Sequence, residues 1–96
     1  MENFEALGRY ITAKEQAEKF AQERNKYLTQ AKTLIDKSSQ GYSGLTLAYE
    51  FDAAPVLDLI NKATEADKNL HLAVDEANRQ ADLCGKHKLN IQKPYY

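Results

Sequence analysis

Residues 10–34, YITAKEQAEKFAQERNKYLTQAKTL, decide the fold. Tyr10, Ala13, Ala17, Phe20, Arg24, Tyr27, Ala31 and Leu34 follow one another at spacings of 3, 4, 3, 4, 3, 4 and 3, which keeps them on one stripe of an α-helix. A second row, Leu7, Ala21, Leu28 and Ile35, recurs beside it at multiples of seven. Together the rows are wider than the seam of a two-stranded coiled coil and match the face of a bundle helix. Asn3 is suited to cap the first turn, and Glu5 carries the charge that the positive end of a helix favours. A helix is predicted over about 4–37.

A second periodic stretch follows. Val56, Ile60, Ala63, Asp67, Leu70, Val74, Ala77, Ala81 and Cys84 alternate by four and three, and Leu59, Ala66 and Ala73 widen the stripe. Asp52 is a good N-cap, and Pro55 is tolerated in a first turn because its missing N–H would have no intrahelical partner there. Gly85 suits a left-handed C′ position, with Lys86 and Lys88 near the negative end of the dipole. These signals predict a helix over about 55–84.

Two long helices joined by residues 38–54 make the chain mainly α, a single domain over 1–96 built as an antiparallel helical hairpin with an extended connector. Ser38-Ser39-Gln40-Gly41-Tyr42-Ser43-Gly44 has loop composition. In Leu45-Thr46-Leu47-Ala48-Tyr49-Glu50-Phe51 the large apolar residues fall on odd numbers, a period of two that suits a short strand or an ordered extended segment. Leu89-Asn90-Ile91 echoes it within the basic tail 85–96, so a minimal two-stranded element is one expectation. The other is that the connector lies back along the helices and closes the core.

Composition limits what such a chain does. It has 96 residues, 43% of them hydrophobic and 28% charged, with 13 Lys+Arg against 14 Asp+Glu, which excludes a wholly disordered chain. Cys84 is the single cysteine, so there is no internal disulfide, and with His71 and His87 it makes too few soft ligands for a structural zinc module. No apolar run reaches the roughly 18 residues of a membrane span. The opening Met1-Glu2-Asn3-Phe4-Glu5 lacks the basic-then-apolar order of a signal peptide, so a cytoplasmic location is expected.

Candidate chemistry is sparse. Cys84 and His87 have a C-x2-H spacing, but Gly85 ends the helix between them, and His71 sits about 20 Å away at ~1.5 Å per residue. Periodicity places Cys84 on the buried stripe, where a thiol packs and does not react. No nucleophile elbow, P-loop or dinucleotide fingerprint occurs, and the carboxylates of the second helix lack the Glu-x-x-His of a di-metal bundle. No catalytic residue, cofactor or metal is expected.

What remains is apolar surface in excess of what one hairpin covers, with Tyr42, Leu45, Leu47, Tyr49 and Phe51 added to both stripes. The expected function is a non-enzymatic helical interaction module, a small accessory or regulatory protein that scaffolds or modulates another protein. Motif-poor helical chains of this size are frequent among such proteins of phages and other mobile elements. A homodimer forming a four-helix bundle is expected if the rows Leu7/Ala21/Leu28/Ile35 and Leu59/Ala66/Ala73 face a second layer. The competing expectation uses Lys86, Lys88, Lys93, Tyr95 and Tyr96 as a basic aromatic tail that engages nucleic acid or a complex acting on it. The slight net negative charge of −1 argues against an autonomous binder.

Two charges interrupt the apolar seams. Arg24 and Asp67 each lie about twelve residues from the turn, so an antiparallel pairing sets them level. The same register puts Phe20 by Leu70, Ala17 by Val74 and Tyr10 by Ala81, mostly large against small. An Arg24–Asp67 ion pair fixing that register is expected, with about 3–5 kcal/mol lost if one charge were left buried alone.

Overall fold

The computed structural model describes residues 3–41 and 43–94. Two helices account for nearly all of its regular structure: α1 (Phe4–Ser38, 35 residues) and α2 (Ala53–Cys84, 32 residues). The ends lie where local chemistry puts them. Asn3 Oδ1 accepts the Ala6 N–H at 3.0 Å, and Asp52 Oδ1 accepts the Ala54 N–H at 3.0 Å, each satisfying a donor the helix leaves unpaired. At the other end of α2, Gly85 adopts φ 72°, and the N–H groups of Gly85 and Lys86 both reach the Ala81 carbonyl. Helix α2 begins directly after Asp52, the cap expected from sequence, two residues ahead of the approximate boundary at 55, with Pro55 inside the first turn.

The helices pack side by side in antiparallel order through a seam made largely of alanine. Ala13, Ala17, Ala63, Ala66, Ala73, Ala77 and Ala81 are buried, the last two completely, together with Tyr10, Val56, Leu70 and Val74. Tyr10, Ala13, Ala77 and Ala81 form one cluster, and Ala17, Leu70, Ala73 and Val74 another, with Phe20 against the second. Each helix has a single neighbour, so only small side chains on the contact line are wholly covered. Larger ones reach past the seam, and none is fully buried.

Three expectations change. The connector does not pair as a strand: Ser43 and Thr46 close a tight turn through reciprocal backbone hydrogen bonds of 3.2 and 3.1 Å, and no strand forms among the described residues. Nor does it fold back to close the core. Leu45 and Leu47 are 101% and 80% exposed, and Tyr49 and Phe51 are also exposed. The molecule is 73 Å long, whereas α1 accounts for about 52 Å at ~1.5 Å per residue, so the connector projects roughly 20 Å beyond the helices as an arm. Its base is held where Ser38 Oγ donates to the Glu50 carbonyl at 3.3 Å.

The third change concerns the tail. Leu89-Asn90-Ile91 is not a strand but lies against the hairpin, and Leu89 packs onto both core clusters. No helix among the described residues is long and apolar enough to cross a membrane.

Candidate interaction surface

The residues proposed from sequence to meet a partner separate into two groups. Leu45, Leu47, Tyr49 and Phe51 lie together on the arm, all exposed. Tyr42, Tyr95 and Tyr96 lie outside the described residues. Lys86, Lys88 and Lys93 are exposed on the tail: Lys86 and Lys88 follow the end of α2 farthest from the arm, and Lys93 follows Gln92, which borders Arg24 partway along α1.

The tail is anchored, which alters what its lysines present. The Asn78 amide Nδ2 donates to the Leu89 carbonyl at 3.1 Å, and the Leu89 N–H donates to Asn78 Oδ1 at 2.7 Å. Tyr10 donates its hydroxyl proton to the His87 carbonyl at 3.1 Å. Lys88 Nζ lies 3.5 Å from Asp82 Oδ2, and the recess that Lys86 and Lys88 border also carries Glu15 and Glu18. The basic residues therefore sit among acids and do not form an uninterrupted positive face. Sequence reasoning missed Asn78 and Tyr10 as tail anchors. The available signal was an amide at an edge position of the α2 seam, seven residues after His71 and one after Ala77.

Arg24 Nε lies 2.9 Å from Asp67 Oδ1, and His71 Nε2 lies 3.4 Å from the other carboxylate oxygen. The two side chains are 38% and 40% exposed, so the pair is screened by water and the large penalty expected for a buried charge does not apply. Elsewhere on α2, Gln80 Nε2 donates to Glu76 Oε1 at 2.9 Å and Arg79 Nε to Glu76 Oε2 at 3.1 Å. These two bonds, Gln80 first, hold the Glu76 carboxyl below the ordinary carboxylate range.

The two rows expected to share a second layer are on opposite sides of the hairpin. Leu7 and Ala21 border the side crossed by the tail. Leu59 borders the other side, with Thr29, Gln30, Thr33 and Leu34. Ala66 and Ala73 are already buried within the hairpin, whereas Leu28 and Ile35 remain exposed. One flat face therefore cannot cover both rows.

Cys84 packs against the Tyr10–Ala81 cluster, and no three of His, Cys, Asp and Glu converge on one point among the described residues. Compared with protein-family models, curated proteins and solved structures, the chain matches none.

Proposed function

We propose that this chain is a non-enzymatic helical interaction module, a small accessory or regulatory protein that associates with itself and scaffolds or modulates another protein. The observation that carries the reading is the arm. Three large apolar side chains, Leu45, Leu47 and Tyr49, stand in water on a segment that projects past the helices, and Phe51 is exposed at its base. Exposed apolar surface gathered at one place is unfavourable in an isolated protein and is the usual mark of a contact site. The opposite end supports the same reading by contrast, since there the chain covers its own seam with Leu89.

The test is a photo-reactive residue placed at Leu47 in the native host, with Gln22, a polar exposed position on α1, as control. A discrete adduct from position 47, with this chain or with another protein, supports the module. Adducts from position 47 no more abundant than those from position 22 overturn it. A salt titration against single- and double-stranded DNA addresses the competing reading: a steep loss of affinity with salt indicates phosphate contacts.

A further inference from the structure

The tail shows how this hairpin accepts an extended segment. Leu89-Asn90-Ile91 runs over the side bordered by Ala17, Ala21, Leu70 and Val74, with Leu89 directed onto the core and Asn78 holding its backbone. Among the described residues, coverage stops near Arg24, which borders the same recess. The buried repeat continues past that point, through Val56, Ala63, Leu70 and Ala77, so residues seven apart stay on one side of the seam. Leu28 and Ile35 continue the row of Ala21 on α1, and Leu57 continues the column of Asn78 on α2. With Ile60 on the seam itself, they are all exposed. Among the described residues, one half of this side is thus covered by the chain's own tail, and the half nearest the arm is apolar and open.

Three features match that open half to the arm. From Arg24 to Ser38 it is about 21 Å long at ~1.5 Å per residue. The arm projects roughly 20 Å past the helices at ~1.5 Å per residue of helix, from the Ser38–Glu50 contact at its base to the Ser43–Thr46 turn at its tip. Leu47, Tyr49 and Phe51 alternate with the period of two shown by Leu89 and Ile91, so where the returning limb of the arm is extended one edge is apolar, with Leu45 in the turn at its tip. Charge agrees as well. Residues 43–51 carry Glu50 and no base, while Lys32 lies one turn beyond Leu28 at the margin of the open half. The arm points away from its own groove, so it cannot serve that half itself.

We infer that the open half receives the arm of a second copy of this chain, in a reciprocal end-to-end dimer. Two hairpins meet at their arm ends about a twofold axis, and each arm lies over its partner's Leu28, Ile35, Leu57 and Ile60. A stable interface buries about 1,200 Å² or more in total. Four arm side chains and four groove side chains, counted in both copies because the contact is isologous, supply apolar area of that order. This rests on the reading of the chain as a self-associating module and replaces the side-by-side bundle as the mode of association.

The full-length chain is examined by sedimentation equilibrium and small-angle X-ray scattering at high micromolar concentration. Exchange gives twice the 10.9 kDa chain mass. It also gives a maximum dimension of about 105 Å, two α1 lengths end to end at ~1.5 Å per residue. Leu47→Asp on the arm and Leu28→Asp in the groove each return a single-chain mass with unchanged helical circular dichroism, because both positions are already exposed in the protomer. Mixing the two variants restores a doubled mass: the mixed dimer keeps one intact arm–groove contact, whereas each variant alone has none. A wild-type monomer overturns the exchange, as does a dimer whose length stays near 73 Å or a failure of the two variants to complement each other. The crosslinking readout at position 47 is independent of all three results, so a monomer that still yields a foreign adduct sinks the exchange and leaves the module standing.

Discussion

Asn78 and Leu89 are joined by a closed pair of hydrogen bonds, 3.1 and 2.7 Å, in which one side-chain amide satisfies both backbone groups of a residue eleven positions away. The arrangement does for the tail what a neighbouring strand would do for an edge. It lets an extended segment cross a helical surface without leaving its N–H and C=O unpaired where Leu89 is half-buried. Leu89 then bridges the two clusters of the seam and ties the tail to both helices.

Replacing Asn78 with Ala removes both bonds and is expected to cost about 1–2 kcal/mol, since a part-buried donor and acceptor lose their partners. Thermal unfolding reads the cost. Hydrogen exchange of the Leu89 amide should accelerate by more than the global loss of stability explains, because the tail is released before the helices melt.

Truncation should separate two parts of the tail. Removing Lys93 to Tyr96 is expected to leave helix content and melting temperature close to those of the full chain. Ending the chain at Gly85 also removes Leu89 and is expected to cost about 2 kcal/mol, the scale of stripping an apolar side chain from a packed site. Equal behaviour of the two truncations in circular dichroism melts would contradict the anchoring role of Leu89.

The seam tolerates additions poorly. Ala77 has no exposed surface and faces Tyr10 and Ala13, so Ala77→Leu must push the helices apart. A loss of about 1–3 kcal/mol is expected, as for other overpacked cores. Leu83→Ala, at an exposed position on the same helix, should change stability by less than about 0.5 kcal/mol.

Arg24 and Asp67 should show a small coupling. Because both side chains are partly exposed, a double-mutant cycle with Arg24→Met and Asp67→Asn is expected to give about 1 kcal/mol or less, declining with added salt. The effect on alignment is more diagnostic than the energy. The charge-exchanged variant Arg24→Asp/Asp67→Arg should recover the stability lost by either single change, since the pair holds the helices level from either side.

Glu76 supplies a pH test. Hydrogen bonds from Gln80 and then Arg79 lower its carboxyl below the ordinary range, so its folded value lies under its unfolded one. Its contribution to stability is complete above the ordinary carboxylate range and is lost as pH falls through the lowered value. Carboxyl resonances followed through an acid titration should show a depressed midpoint for Glu76, and Gln80→Leu should move that midpoint upward.

The local signals in the sequence determined the helices, their caps and the seam. Asn3, Asp52 and Gly85 act within a few residues of themselves, and the 3–4 spacing of Tyr10 through Leu34 needs only the geometry of one helix. The Arg24–Asp67 juxtaposition was legible too: the long connector does not force a register, but among those it permits one sets the interrupting charges level, and the pair forms there. The tail and the arm were decided only by the tertiary structure. The alternation of Leu89 and Ile91 is the same as that of Leu45 and Leu47, yet one segment is packed and the other stands in water. What separates them is position along the hairpin: the tail leaves α2 beside the Tyr10 hydroxyl, which meets the His87 carbonyl across 77 residues of sequence, whereas the connector leaves α1 heading away from both helices. Periodicity reports which face of a segment is apolar, but a groove for that face exists only after two distant helices have come together.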